Sequence, residues 1–147
     1  MPAPRDGRIP LWIGGRSEAA QRRAVRFDAG WFPSQPASAT VAKGKEFMDE
    51  LAQEMGREAD REIGINIFFC IGGSTSQAVA QAKQVLGHRF ADEATLRSQT
   101  IIGDIAEVQA RLDEYAAAGV TAIDFKPISA PIDQQIDWIH ALADMRA

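Results

Sequence analysis

The sequence predicts an α/β protein whose parallel strands alternate with covering helices. Three observations carry that expectation. Apolar runs of strand length (Ile9–Ile13, Trp31–Pro33, Ile63–Ile71 and Val120–Phe125) alternate with segments whose apolar residues recur at helical spacing. The longest run, Ile63–Ile71, is almost continuously apolar and rich in isoleucine and phenylalanine, as in a strand covered on both faces of a parallel sheet. Glycine turns followed by hydroxyl-bearing residues, Gly14-Gly15-Arg16-Ser17 and Gly72-Gly73-Ser74-Thr75-Ser76, stand where strands hand over to helices.

The elements follow in order. Residues 1–8 are proline-rich and charged and read as an arm. Ile9–Ile13 is the first strand. Ser17 is placed to cap a helix running to about Asp28, with Glu18 in its first turn, Ala20, Ala24 and Phe27 on one face and Gly30 at its end. Trp31-Phe32-Pro33 is a short second strand. Ser38 or Thr40 caps a helix whose Val41, Phe47, Met48, Leu51 and Met55 share a face, and Gly56 closes it. After the strand Ile63–Ile71, a helix carrying Ala78, Val79, Ala82, Val85 and Leu86 ends at Gly87. Residues 88–99 contain a short helix over Asp92–Arg97. Asp104 and Glu107 have capping-box spacing ahead of a helix through Val108, Leu112 and Tyr115 to Gly119. Val120–Phe125 is the fourth strand, left by Lys126-Pro127. The last helix carries a stripe of Ile132, Ile136, Ile139, Leu142 and Met145. The order is β-α-β-α-β-α-α-β-α, and strands so joined are parallel with right-handed crossovers.

Composition sets bounds. At 147 residues with 46% hydrophobic residues, the chain is one domain with a sizeable core. A net charge of -4 offers nucleic acid no basic field. No run approaches the roughly 20 apolar residues of a membrane span, and the N-terminus lacks the apolar region of a signal peptide. The single cysteine, Cys70, lies inside an apolar run, where it reads as a small core residue, and a cytoplasmic location is expected.

The candidate site is the junction Ile9-Pro10-Leu11-Trp12-Ile13-Gly14-Gly15-Arg16-Ser17-Glu18. A strand, a tight turn and a helix N-terminus aim unpaired N–H groups and the positive end of a helix dipole at one place. The default ligand there is an anion, commonly phosphate. Arg16, Arg22, Arg23 and Arg26 make the locality positive in an acidic chain. Neither G-x-G-x-x-G nor G-x-x-x-x-G-K-[ST] is present, so the dinucleotide and P-loop fingerprints are absent. Parallel sheets bind ligands at the C-terminal ends of their strands, which adds Pro33, Ser34, Gly72–Ser76 and Lys126. Lys126 is either a ligand contact or a solvated strand-end lysine. Gly72–Ser76 is either a capping turn or a second anion nest. Asn66 and Asp124 are polar groups in apolar strands, lining an interior or satisfying neighbouring backbone. Trp12 and Trp31 read as packing residues, and His88 and His140 have no partner at metal-ligand spacing.

The segment I-P-L-W-I-G-G-R-S-E-A-A-Q-R-R-A-V-R-F-D-A-G-W-F-P resembles the latter part of the bacterial luciferase-like monooxygenases. These oxidoreductases use FMN or a deazaflavin coenzyme. The run I-I-G-D-I-A-E-V-Q-A-R-L-D-E-Y-A-A-A-G-V-T-A-I-D-F is similar to the same family's closing segment. The resemblance implies the C-terminal half of a (β/α)8 TIM barrel: four parallel strands with their covering helices, since a whole barrel takes about 250 residues. It implies that Gly14, Gly15 and Ser17 hold the cofactor phosphate, with Ser34 a further phosphate or ribityl contact. Arg16 stands where the family more often has a small residue; it either adds a charged contact or points to solvent. Lys126 is the substrate-contact candidate, for a small-molecule substrate.

Four strands cannot close. Such a sheet keeps two unpaired edges and an apolar, uncovered inner face. A homodimer or a complementary half-barrel chain is therefore expected as partner. The competing functions are a catalytically inactive phosphate-binding or self-assembling half-barrel, and an unrelated small phosphate binder with a flat sheet covered on both faces.

Overall fold

A computed structural model describes residues 9–128 and 130–145; the expected arm, residues 1–8, lies outside them. Five strands, not four, are present among the described residues: β1 (Trp12–Gly14), β2 (Gly30–Phe32), β3 (Gly64–Ile71), β4 (Ile101–Gly103) and β5 (Ala122–Pro127). The helices are α1 (Glu18–Phe27), α2 (Ser38–Glu54), α3 (Thr75–Leu86), α4 (Glu93–Ser98), α5 (Ile105–Ala117) and α6 (Ile132–Asp144), with a 3-10 turn at Gly87–Arg89 after α3. The unexpected strand is β4. Three residues are too few to show a period, and they become a strand only because Ile101, Ile102 and Gly103 lie buried alongside Phe69–Ile71.

All pairings are parallel. β1 pairs with β2, while β3 pairs with both β4 and β5. Single bridges, Trp31 to Ile63 and Ser34 to Asn66, join β2 to β3. Asn66 therefore lies between Ser34 and Asp124, and Phe69 between Ile101 and Pro127. β5 follows one side of β3, and β2 and β4 share the other in succession. Setting β4 aside, the strands stand in chain order, β1-β2-β3-β5, without reversal.

The pleat sends alternate side chains to opposite faces. Ile63, Ile65, Ile67 and Phe69 are all buried, and with Trp31 they form the core against the helices. Phe69 sits edge-on to Trp138 of α6 at 5.6 Å between centroids. The opposite, inner face carries Trp12, Phe32, Ser34, Asn66, Phe68, Asp124 and Lys126. Here the expectation of a bare apolar face is corrected: polar residues occupy its upper rows. α3 and the 3-10 turn also reach over part of it, since the Cys70 thiol donates to Gln81 Oε1 at 3.5 Å and the Arg89 guanidinium lies over the Phe68 ring. Lower down, the Trp12 and Phe32 rings meet edge-on at 5.7 Å. They occupy the space a Cβ at Gly30 or Gly64 would need.

Several boundaries shift for local reasons. Ile9–Leu11 precede β1 rather than belong to it, and Pro10 has no N–H to give a ladder. Asp28, not Gly30, ends α1: it takes the left-handed conformation (φ 52°), and its N–H turns back to the carbonyls of Ala24 and Val25. Neither Ser38 nor Thr40 caps α2; its N-cap is Ala37, with no side-chain bond. Asp104 does cap α5, accepting from the Glu107 N–H at 3.0 Å. Glu107 does not close the box, because it pairs with Arg97 while Thr75 Oγ1 accepts the Asp104 N–H. Lys126 and Pro127 lie inside β5. Phe27 is 56% exposed rather than buried, and of the α6 stripe only Leu142 is buried and Met145 half-buried. Ile132, Ile136 and Ile139 face solvent.

Candidate functional site

At the C-terminal end of β1 the chain turns sharply into α1. Gly15 sits at φ +112°, a conformation that disfavours any side chain, and a Cβ there would also press on Ala20. Ser17 caps α1, its Oγ accepting from the Ala20 N–H at 3.4 Å. The Ala20 N–H also donates to the Ser17 carbonyl at 2.9 Å, which leaves the N–H groups of Glu18 and Ala19 as the first-turn donors with no partner within the helix. Gly14 to Glu18 are all exposed, so this end of α1 opens to solvent. The turn is anchored from below: the buried Trp31 indole N–H donates to the Gly15 carbonyl at 2.7 Å.

The neighbouring loop closes on it from β2. Arg16 Nη1 donates to the Gln35 carbonyl at 3.4 Å, so Arg16 bridges the two loops rather than extending freely. Ser34 Oγ donates to Asn66 Oδ1 at 2.8 Å, and the Gln35 N–H donates to the Asn66 carbonyl at 2.9 Å. Gln35 takes a positive φ of 49°, and its backbone N–H and the Ser34 hydroxyl both reach Asn66. Behind this loop, the buried Tyr115 hydroxyl donates to the Pro36 carbonyl at 2.7 Å.

The sequence-predicted residues fall into two groups. Gly14, Gly15, Arg16, Ser17 and Ser34 come together at the adjacent ends of β1 and β2. Lys126 does not join them. It lies half-buried on β5, opposite Phe68, with β3 between it and the β2 end. Among the described residues it makes no ion pair, and neither does Asp124. Asn66 and Gln35 belong to the same cluster but were not singled out for it. Their signal was faint: one polar residue in an apolar strand, and one residue before a proline in a turn.

Gly72–Ser76 acts as a capping turn, with Ser74 Oγ accepting from the Gln77 N–H at 3.3 Å. Burial pushes the Cys70 thiol up to about 11, so it stays protonated and behaves as a core residue. No group of metal-ligating side chains occurs among the described residues, and no helix among them is long and apolar enough to cross a membrane.

Fold and site together define a parallel α/β protein with a solvent-open helix N-terminus at its strand ends. Residues 1–92 match the family model of the luciferase-like monooxygenases. The chain belongs to that family. No curated protein matches the sequence. Solved structures share the fold at low identity. An F420-dependent secondary alcohol dehydrogenase in complex with an F420-acetone adduct is 17% identical with a TM-score of 0.74, over 90% of this chain and 47% of its own. Riboflavin lyase with modified FMN and riboflavin is 18% identical with a TM-score of 0.72, over 95% and 43%. The EDTA monooxygenase of Chelativorans sp. BNC1 is 14% identical with a TM-score of 0.70, over 99% and 46%. The chain thus spans less than half the length of each of these proteins.

Proposed function

We propose that this chain is the C-terminal half of a luciferase-like (β/α)8 barrel and carries the cofactor-phosphate end of a flavin- or deazaflavin-dependent oxidoreductase. The observation that carries the reading is the open N-terminus of α1, where Gly14-Gly15-Arg16-Ser17 meets Ser34 across two adjoining strand ends. The unbroken strand order β1-β2-β3-β5 supports the barrel part, because a barrel wall runs in chain order whereas a doubly wound sheet reverses.

The residues present fit a phosphate monoester or diester. Backbone N–H groups of the first α1 turn supply donors, the positive φ of Gly15 lets the chain curve around the anion, and Arg16 supplies charge at the rim. Ser34, held by Asn66, would be a further phosphate or ribityl contact. FMN and F420 both carry such a phosphate, and either supplies hydride transfer, or oxygen transfer for the flavin, when bound. This chain's own share is to bind and orient the phosphate end.

The test is binding of FMN and F420 against riboflavin, which lacks the phosphate, followed by fluorescence. FMN or F420 is expected to bind at least about 10-fold more tightly than riboflavin, and Gly15→Val and Arg16→Ala to remove that preference. Equal binding of all three sinks the reading. Turnover with reduced FMN or F420 separates this enzyme reading from the inactive phosphate-binding half-barrel.

A further inference from the structure

One row above Ser34, Asn66 and Asp124, the inner face of the sheet carries two cations around a single aromatic ring. Phe68 of β3 stands in register with Lys126 of β5. Their side chains therefore leave the same face of adjacent strands, about 5 Å apart at the backbone. The Arg89 guanidinium, carried in by the 3-10 turn after α3, lies over the Phe68 ring with its Cζ 5.1 Å from the centroid. The ring attracts the cation yet takes up little of its hydrogen-bonding capacity, and a guanidinium has five N–H donors. Phe68 and Lys126 are half-buried and Arg89 is exposed.

Neither cation is neutralised by a neighbour. Among the described residues, Lys126 and Arg89 make no ion pair. The acids near Arg89 in the chain are engaged elsewhere: Asp92 accepts from the Thr95 N–H at 2.7 Å as the cap of α4, and Glu93 pairs with Lys83 at 2.7 Å. Asp124 lies two residues before Lys126 on the same face, about 6.6 Å along the strand, and its register partner is Asn66. It makes no ion pair either. The face is thus cationic in its upper row and offers a carboxylate acceptor in the row below.

We propose that Lys126 and Arg89 form an anion subsite beside Phe68 that takes the carboxylate of a small organic substrate, while Asp124 accepts from a hydroxyl or amine at that substrate's other end. The guanidinium fork suits the planar carboxylate, and Lys126 adds a point charge. Assigning the occupant as substrate rests on the oxidoreductase reading above and gives it a substrate class, a hydroxy- or amino-substituted carboxylate. The subsite is distinct from the phosphate end. Two strand spacings, about 10 Å, separate Asp124 from Ser34, so a phosphate at Gly14–Ser17 and a carboxylate at Lys126 occupy different places.

The experiment titrates the full chain with 4-hydroxybenzoate and with 4-hydroxybenzamide, which has the same shape without the charge. The acid's carboxylate and hydroxyl stand at opposite ends of a ring, a span comparable with one row of the face. Backbone amide NMR shifts read both the affinity and the place. The acid is expected to bind at least about 10-fold more tightly than the amide, with shifts at Phe68, Arg89 and Lys126. Lys126→Gln and Arg89→Gln are each expected to weaken the acid about 10-fold and leave the amide unchanged. Lys43→Gln, at an exposed position of α2, is expected to change neither. Equal binding of acid and amide, binding of neither, or acid-induced shifts gathered at Gly14–Ser17 instead overturns the proposal. Benzoate binding as tightly as 4-hydroxybenzoate overturns the part given to Asp124. FMN and riboflavin titrations on the same samples fail separately. A carboxylate preference in a protein that binds FMN and riboflavin equally supports the subsite and removes the phosphate end; a phosphate preference without a carboxylate preference does the reverse.

Discussion

Replacing Tyr115 by phenylalanine tests how the site loop is held. The chain has one tyrosine, so its ionisation can be followed alone. The Tyr115 ring is fully buried, and its hydroxyl donates to the carbonyl of Pro36, two residues beyond Ser34. Burial raises its pKa from 10.0 to about 12, partly offset by the Arg111 guanidinium over the ring. The folded state therefore keeps a proton that the unfolded state releases near pH 10. Stability from this source is complete below pH 10 and is lost as pH rises towards about 12. Two pKa units correspond to about 3 kcal/mol over that window. At pH 7, Tyr115→Phe leaves the Pro36 carbonyl without its donor, at a cost of about 1–2 kcal/mol. Above pH 10 only the wild type carries the extra loss, so the difference between the two proteins shrinks and then reverses. Cys70 ionises in an overlapping range, pushed from 9.0 to about 11, but it is common to both proteins and cancels in the difference. Urea unfolding followed by tryptophan fluorescence across this pH range measures the gap, and tyrosinate absorbance reads the ionisation directly. Tyrosinate forming near pH 10 in the folded protein, or a gap that stays constant up to about pH 12, would refute the reasoning.

Other consequences are checked more simply. Gly44→Ala gains helix propensity of up to about 1 kcal/mol, but its methyl meets the buried Trp31 ring and the Gln21 amide; a net loss of about 1–2 kcal/mol is expected in urea unfolding. Asp104 has its pKa lowered from 3.8, first by the Glu107 backbone N–H and then by the Thr75 hydroxyl. Its contribution is present above the ordinary carboxylate range and lost as pH falls through the depressed value, so Asp104→Asn is expected to flatten the acid limb of the stability profile. Asn66→Leu is expected to free Ser34 Oγ and reduce FMN affinity about 10-fold, with a smaller effect on riboflavin; an equal effect on both ligands sinks the assigned role of the Ser34–Asn66 bond.

What could be read in the sequence was local. The Gly14–Ser17 turn announces itself by a glycine pair and a cap within four residues, and the structure forms that turn. The caps Ser74 and Asp104 were visible for the same reason, whereas Asp92, read as the first residue of a short helix, proves to be its cap. The non-local features stayed hidden. β4 is a strand only because Phe69–Ile71 lies beside it. Gln35 enters the cluster through bonds to Asn66, distant in the chain. The α6 stripe shows the same gap from the other side. An apolar period reveals a helix and its apolar residues, but not which of them a neighbour covers, and Ile132, Ile136 and Ile139 are left bare.

The two faces of the sheet separate the competing architectures. A doubly wound sheet with helices on both sides would make both faces of β3 and its neighbours apolar. Here the helix side of β3 is Ile63, Ile65, Ile67 and Phe69, all at most 1% exposed. The other side holds a row of Ser34, Asn66 and Asp124 in direct register, with Lys126 one row higher. Polar side chains set side by side across three strands are costly under a packed helix and suited to a cavity that holds water or a ligand. The same face is lined by rings and glycines lower down, where Trp12 and Phe32 fill the space over Gly30 and Gly64. A face that is packed below and polar above, next to the strand ends, is what the proposed half-barrel reading requires of its inner surface. That polarity supports the proposed reading independently of sequence likeness, since it depends only on the register of β2, β3 and β5.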